Sequence, residues 1–253
     1  MIDNPDAGPE FSSVPPEAKR SLTFKLVEVL GVCAIIGVAI AFFLPATRRA
    51  RPAARRTQCK MNLKQIGLAL HNYHDAYGAF PPAYTVDANG KPLHSWRTLL
   101  LPFLDRGDLY KKIDFSKPWD DPANAEVARA SIPEFNCPSS AAPRDHTSYV
   151  AVIGPHSCLR PQKSASIQEI TDGTGNTMMV IEVAAEQSVP WISPQDTDES
   201  SFLSLGPKSK TSHTGGLHVL LADGAARFLS AALEASFRRA LISIDGNDSP
   251  GEW

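Results

Sequence analysis

The stretch Phe24–Leu44, FKLVEVLGVCAIIGVAIAFFL, decides how the rest of this sequence is organised. From Leu26 to the end of the stretch, the only charged residue is Glu28. An α-helix rises about 1.5 Å per residue, so this part of the chain spans roughly 28 Å, close to the apolar thickness of a bilayer. A helix in the core of a globular protein is usually shorter and shows one polar face, which this stretch lacks. We therefore predict a membrane-spanning helix over residues 24–44.

Glu28 lies near one end of the predicted span, where a carboxylate needs an explanation. A charge at that depth is costly unless the side chain has a partner or reaches the headgroup region. Two interpretations stay open. The carboxylate either takes part in assembly with another molecule or lies at the level of the lipid headgroups.

The residues on either side of the span predict different structures. Residues 1–23 contain four prolines, several acidic side chains and few apolar ones, which is typical of a disordered leader. Residues 45–78 are predicted to continue the helix outside the membrane, with Gly78 as its C-cap. Apolar side chains recur there with helical spacing and define one stripe. The stripe consists of Leu63, Ile66, Leu70, Tyr73 and Tyr77.

Residues 79–253 predict an α+β domain. Residues 147–153 and 177–183 are rich in β-branched and apolar side chains, so both are predicted strands. Residues 217–229 predict a hairpin in which Asp223-Gly224 forms a type I′ turn. Helices are predicted from the N-cap Ser95 and over residues 121–130 and 230–243, and long loops over residues 83–94, 155–166 and 190–211.

The charge distribution argues against a nucleic-acid partner. The formal net charge is −2, but residues 1–60 carry +4 and residues 61–253 carry −6. A nucleic-acid-binding domain needs a basic face, which an acidic domain does not favour. Charge alone would place the C-terminal domain inside the cell, because more basic residues follow the span than precede it.

Phe24, Glu28 and the apolar run resemble the N-terminal region of type IV prepilins and pseudopilins. Pilins often carry a helix-kinking proline about one span further on, and Pro45 matches it. The resemblance implies a long N-terminal helix that crosses the membrane in its first half and packs on an antiparallel-sheet domain. It also implies that this domain lies outside the cytoplasm, in contrast to the charge count.

The sequence beyond the span resembles the DUF1559 family. His213, nine residues and then Asp223 and Gly224 match the prepilin-associated His-x9-Asp-Gly motif of that family. The resemblance covers nearly everything from Phe24 to Asp245, and it brings no established biochemical activity. The other shared segments are Ala54–Pro82, Ser95–Asp105, Phe135–Ser139, Ile170–Ala184 and Val189–Trp191.

One position departs from the prepilin pattern, because Thr23 stands where prepilins have a glycine before Phe24. Prepilin peptidase is strict about that glycine, since the scissile bond needs a residue without a side chain. The sequence therefore argues against processing at the Thr23–Phe24 junction. Without cleavage, Glu28 lacks the new N-terminal amine with which it is thought to pair in processed pilins.

The family resemblance also suggests a disulfide between Cys59 and Cys137, which lie in two of the shared segments. An extracytoplasmic compartment permits such a bond, which would staple the long helix to the domain. Sequence does not give connectivity, so two free buried thiols, or pairing with Cys158, stay open as alternatives.

No catalytic or metal-binding pattern is present in the sequence. There is no Cys-x-x-Cys pair, no HExxH and no G-x-S-x-G, and His71, His74 and Asp75 suit a polar helix surface better than a metal site. His213 and Asp223 flank a predicted strand that separates them by about 20 Å, so we expect His213 to bond to loop backbone. We predict no catalytic residue, no metal and no cofactor.

These observations predict a non-enzymatic, single-pass protein of the bacterial inner membrane with an extracytoplasmic domain. Its expected partners are the lipid bilayer and, through the apolar helix, pilin-like subunits of a fibre or secretion-like apparatus. Glu28 and Phe24 are the expected assembly residues. The alternative is a membrane-tethered ligand-binding module, in which Trp96, Trp119 and Trp191 lie near the long loops and line a pocket.

Overall fold

The computed structural model describes residues 22–161, 165–248 and 250, with side chains except at residues 22, 23 and 42–50. The predicted leader over residues 1–21 lies outside the described residues. The chain divides into two compact units, Met1–Ala50 and Arg51–Trp253, and each is described by itself.

The first unit contains the apolar part of helix α1, which runs from Leu22 to Tyr77. Its segment Phe24–Ala41 has a mean hydropathy of 2.2, and none of its residues is buried. By length and composition this helix can cross a membrane, as the sequence predicts. The backbone stays helical past Pro45 and Pro52.

The second unit begins with the remainder of helix α1. The predicted stripe faces the core at Leu63, Ile66 and Leu70, which are fully buried, whereas Tyr77 is largely exposed. The helix ends at Gly78, which has a positive φ of 77° and donates its N–H to the His74 carbonyl at 2.7 Å. Gly78 thus closes the helix as the sequence predicts.

A five-stranded sheet with strand order β7-β4-β5-β8-β9 forms the centre of the domain, and two antiparallel pairs, β1–β2 and β3–β6, lie outside it. The strands are β1 (Tyr84–Val86), β2 (Pro92–Ser95), β3 (His146–Thr147), β4 (Tyr149–Ile153), β5 (Met178–Glu182), β6 (Val189–Pro190), β7 (Thr197–Asp198), β8 (Gly216–Leu221) and β9 (Ala226–Ser230). The remaining α-helices are α2 (Trp96–Leu99), α3 (Gly107–Tyr110), α4 (Ala125–Ala128), α5 (Glu199–Leu203) and α6 (Ala235–Ala240). Single 3₁₀ turns cover Leu101–Leu104, Pro122–Asn124, Pro133–Phe135, Ile167–Glu169 and Ala185–Gln187.

The α+β class is confirmed, with three corrections to the detail. The sheet is antiparallel except at its edge, where β7 pairs parallel to β4. The predicted loop over residues 83–94 contains hairpin β1–β2, and the loop over 190–211 contains β7 and α5. The predicted helix over residues 230–243 is reduced to α6, because Ser230 pairs with Gly216 as the last residue of β9.

The central sheet has an apolar core on each face. On one face, Tyr149, Ala151 and Val180 pack in the cluster that includes the buried side of α1. On the other face, the alternate residues Val150 and Val152 pack in a second cluster, with Phe202 of α5 and Leu241 after α6. This alternation follows from the two-residue period of a strand, and it leaves the sheet between α1 and the α5–α6 pair.

Candidate functional site

A disulfide joins helix α1 to the segment that precedes the central sheet. Cys59 of α1 and Cys137, which follows the 3₁₀ turn Pro133–Phe135, are bonded with a Cα–Cα distance of 4.9 Å. Both residues are buried. Of the other two cysteines, Cys158 is free and buried, and Cys33 is free and exposed.

A glutamate and two histidines lie beside this disulfide. His213 Nε2 lies 3.1 Å from Glu182 Oε2 and 3.9 Å from Cys137 Sγ. His218 Nδ1 lies 3.0 Å from the same Glu182 oxygen, and the two imidazole rings meet edge to face. Strands β5 and β8 bring Glu182 and His218 together because they pair antiparallel, with Ile181 opposite Val219.

The carboxylate of Glu182 is buried, and its pKa is nevertheless lowered. Burial raises the pKa of Glu182, but hydrogen bonds from His213 and His218 outweigh burial and lower it. The His218 backbone N–H also donates to Oε2, at 3.2 Å. The other oxygen, Oε1, is buried and has no hydrogen-bond partner within the described part of the chain. Within the described residues, the cluster therefore holds a buried carboxylate whose second oxygen is unsatisfied.

The disulfide, Glu182 and His213 together form a compact set of metal-ligating atoms. One atom from each of Cys59, Cys137, Glu182 and His213 lies within 4.8 Å of the others, and all four residues are buried. A cleft of about 430 Å³ opens beside His213. The cleft is lined by Pro52, Ala53, Arg55, Arg56, Ser139, Ser212, His213 and Thr214.

The other end of the family motif lies at the tip of hairpin β8–β9, away from His213. The Asp223 backbone N–H donates to the Thr174 carbonyl at 3.0 Å, and its carboxylate accepts from the Ala225 N–H at 2.8 Å. Strand β8 separates Asp223 from His213 by about 20 Å, since each strand residue spans about 3.3 Å. The motif is therefore not a catalytic dyad.

The hairpin turn differs from the type I′ turn that we predicted. Only Gly224 has a positive φ, 82°, and Asp223 is not among the residues with positive φ. The Gly224 N–H donates to the Leu221 carbonyl at 2.9 Å, as in a type I turn followed by a left-handed glycine. The Asp223 carboxylate favours this turn because it accepts a hydrogen bond from the backbone N–H of Ala225.

The spacing between His213 and Asp223-Gly224 in the motif corresponds to the length of helix α1 against which hairpin β8–β9 packs. At the His213 end, the Arg56 guanidinium lies 3.8 Å from the centre of the Phe228 ring, and Phe228 pairs with His218. At the Asp-Gly end, a Cβ on Gly224 would lie 3.5 Å from the His71 ring. Arg56 and His71 are about 22 Å apart along the helix, which is close to the length of β8 with its flanking residues.

Three predictions about individual side chains are wrong. His213 meets a carboxylate rather than loop backbone, because β5 ends beside it. His74 is buried rather than exposed on a polar helix face, and it accepts the Ile167 N–H at 3.3 Å. The tryptophan pocket does not form, because Trp96 and Trp191 are fully buried core residues.

The predicted assembly residues lie in the first unit. Phe24 and Glu28 are exposed on helix α1. The Thr23 side chain lies outside the described residues, so processing at the Thr23–Phe24 junction stays a prediction. Cys33 lies further along the same apolar segment.

Sequence reasoning missed Glu182 and His218 as parts of a site. The signal was present, since each is a polar residue inside a strand that is otherwise apolar: MMVIE for β5 and GLHVLL for β8. Cys59, Cys137, Glu182 and His213 come from four separate segments, so no spacing motif joins them. No local sequence pattern could therefore identify these four residues as a group.

Comparison with known proteins gives one match. Residues 48–166 match the family described as "Protein of unknown function (DUF1559)". No curated protein and no solved structure matches the chain significantly. The matched segment includes both disulfide cysteines and ends before Glu182 and His213. Over residues 48–166 the match supports the resemblance to the DUF1559 family found in the sequence.

Proposed function

We propose that this protein is a non-enzymatic, single-pass membrane protein whose apolar helix both anchors the chain and assembles with pilin-like subunits. Its domain lies on the outer side of the bacterial inner membrane. The observation that carries the proposal is that helix α1 is exposed and apolar over Phe24–Ala41, while its later residues supply the core of the domain.

The exposed apolar surface of helix α1 favours a bilayer or protein partner. Soluble monomers rarely expose contiguous apolar patches of more than a few hundred Å². A cleaved signal sequence has a similar composition, but here the helix continues to Tyr77 and contributes Leu63, Ile66 and Leu70 to a folded core. We infer that the segment stays with the protein as an anchor.

The same helix offers a face on which a second helix can pack. Cys33, Gly37 and Ala41 are spaced four residues apart, so they share one face, and within the described residues only the helix's own backbone and the two chain neighbours of Gly37 come close to a Cβ built on it. Small residues at this spacing let helix backbones approach closely in a membrane. Glu28 lies about 180° around the helix from Gly37, so it would fix the register through a contact with a further subunit, because a carboxylate at that depth gains from a partner.

The contacts in the domain support a role without catalysis. Glu182 engages both His213 and His218, and the one sulfur near His213 belongs to a disulfide. The sulfur that lies 3.9 Å from His213 is therefore not a free thiol nucleophile in this state.

The assembly proposal is tested by the size of the protein extracted in a gentle detergent. We compare the wild type with Glu28→Gln, and we use Lys25→Gln as the matched control because it changes a charge on the same exposed segment. Oligomers of the wild type and of Lys25→Gln, together with monomers of Glu28→Gln, are expected. Monomers of all three proteins would contradict assembly through this helix. Oligomers of all three proteins would show that Glu28 is not part of the contact.

A further inference from the structure

We propose that Cys59, Cys137, His213 and Glu182 form a redox-gated zinc site. In the oxidised protein the two sulfurs are bonded to each other. When the disulfide is reduced, the two thiolates, the His213 imidazole and the Glu182 carboxylate bind one Zn²⁺ ion. The proposal concerns the domain alone and does not depend on how the membrane helix assembles.

The donor set suits zinc in both chemistry and spacing. Zn²⁺ in proteins takes four ligands in a tetrahedron, drawn from cysteine sulfur, histidine nitrogen and carboxylate oxygen. With Zn–S bonds of about 2.3 Å and Zn–N and Zn–O bonds of about 2.0 Å, neighbouring ligand atoms lie roughly 3.3–3.8 Å apart. His213 Nε2 is already 3.9 Å from Cys137 Sγ, and the neighbouring Glu182 carboxylate has its second oxygen, Oε1, without a hydrogen-bond partner within the described residues. After reduction, the two sulfurs need to move apart to roughly 3.8 Å, which is the separation of two sulfur ligands around one Zn²⁺ ion.

Glu182 gives an independent indication that a cation belongs here. Its side chain is fully buried, and Oε1 has no hydrogen-bond partner within the described residues. A buried carboxylate oxygen without a partner is costly, and a bound cation would satisfy it. Oε2 accepts both the imidazole and the backbone N–H of His218. Such outer contacts typically orient a ligating side chain.

The site stays assembled when the disulfide is open, because other contacts hold both cysteine segments. Asn62, one turn after Cys59, donates its amide to the carbonyls of Pro133 and Asn136 at 3.1 and 2.8 Å. The Tyr149 hydroxyl donates to the Cys59 carbonyl at 3.1 Å. The two thiols of the reduced protein therefore remain close together.

A backbone contact positions one sulfur, and a cleft gives access to the site. The Ser139 backbone N–H donates to Cys137 Sγ at 3.4 Å. The cleft lined by Arg55, Arg56 and His213 provides a path for the ion and for a reductant. A Zn²⁺ ion with two thiolates and one carboxylate has a net charge of −1, which the two arginines offset.

The redox and binding steps balance with a dithiol as the reductant. The dithiol transfers two electrons and two protons to the disulfide, giving two cysteine thiols and an oxidised dithiol. Zn²⁺ then displaces the two thiol protons as it binds, and the proton that His213 Nε2 donates to Glu182 moves to Nδ1 or to solvent, so that Nε2 can bind the ion. Exchange with an added disulfide compound reverses the step: that disulfide accepts the two electrons and two protons from solvent and becomes two thiols, the Cys59–Cys137 bond forms again, and the ion is released because both sulfur ligands are lost.

The test measures metal bound to the full-length protein in detergent, before and after reduction with a phosphine that does not compete for zinc. We expect one zinc per chain after reduction and none before it. Co²⁺ in place of Zn²⁺ should give the visible absorption of a tetrahedral site and a thiolate charge-transfer band. His213→Ala and Glu182→Gln should each weaken zinc binding at least tenfold, whereas His156→Ala, which changes an exposed histidine outside the cluster, should not.

Near-ultraviolet circular dichroism of the buried Trp96 and Trp191 reports whether the reduced protein is folded. If the reduced protein is folded and binds no zinc, the proposal is wrong. If it unfolds on reduction, added zinc must restore the signal, and failure to do so also overturns the proposal. Zinc binding that is unchanged in His213→Ala would show that the ion binds elsewhere, and the proposed site would be wrong.

Discussion

Gly67 of helix α1 and Gly224 at the tip of hairpin β8–β9 lie in close contact. A Cβ on Gly67 would lie 3.4 Å from the Gly224 Cα and 2.8 Å from Leu220 Cδ1. The tip of the hairpin therefore packs directly against helix α1, because a glycine on each side lets the two backbones approach closely. This contact explains the Asp-Gly end of the family motif as a packing requirement.

Gly67→Val should destabilise the domain by about 1–3 kcal/mol, because two further methyl groups would be forced against the hairpin. Leu68→Val is the matched control, since Leu68 is the exposed neighbour on the same helix, and it should cost only a few tenths of a kcal/mol. Denaturant unfolding of both variants measures the difference. Equal stability of the two variants would show that the hairpin does not rest on Gly67.

Asp196→Ala should be among the most destabilising substitutions in the domain. Arg97 and Asp196 are fully buried and 2.7 Å apart, and Asp196 also accepts the Ala151 N–H at 2.8 Å. Removing one partner of a buried ion pair typically costs about 3–5 kcal/mol, because the other charge stays buried. The exposed pair Lys210–Glu186 provides the control, and Glu186→Ala should leave the unfolding midpoint unchanged. A loss in Asp196→Ala no larger than in Glu186→Ala would contradict this interpretation.

The Cys59→Ala/Cys137→Ala double variant should lose about 4 kcal/mol of stability and still fold. The disulfide closes a segment with a sequence separation of 78 residues, and the stabilisation from constraining the unfolded chain grows with that length. Folding persists because Asn62 and Tyr149 hold the same segments. Thermal unfolding in the presence of a chelator measures the loss. An unfolded double variant would mean that these hydrogen bonds do not suffice.

Cys158 should resist alkylation in the native protein. Burial raises the pKa of the Cys158 thiol to about 12. Only the thiolate reacts, so at about pH 8 roughly one molecule in ten thousand is reactive at this position. Because the pKa is raised, reactivity should increase as the pH rises towards 12. Mass spectrometry after maleimide treatment should find no label on Cys158 in the native protein and a label there in denaturant. Rapid native labelling of Cys158 would contradict its burial.

The sequence predicted the elements whose patterns are local. The apolar run of helix α1, the stripe through Leu63, Ile66 and Leu70, and the C-cap at Gly78 each depend on residues within one or two helical turns. The hairpin at residues 217–229 was also predicted, because a turn dipeptide lies between two apolar runs.

The sequence could not predict contacts that depend on distant segments. Parallel pairing of β7 with β4 joins Thr197 to Val152 across a long connection, and neither segment carries a pattern that specifies it. The burial of Trp96 and Trp191 depends on the whole core, so aromatic residues near loops were misinterpreted as a pocket. Glu182 meets His213 only through the pairing of β5 with β8.

The most direct test of membrane assembly uses Cys33 as a crosslinking reporter in native membranes. Cys33 is exposed on the face that contains Gly37, whereas Cys158 is buried and Cys59 is bonded to Cys137. Mild oxidation of the membranes, followed by non-reducing electrophoresis, measures helix contact. We predict covalent dimers in the wild type, none in Cys33→Ser and fewer in Glu28→Gln. Wild-type protein that stays monomeric in the membrane, or that is found in the soluble fraction without its apolar helix, would contradict the proposed function.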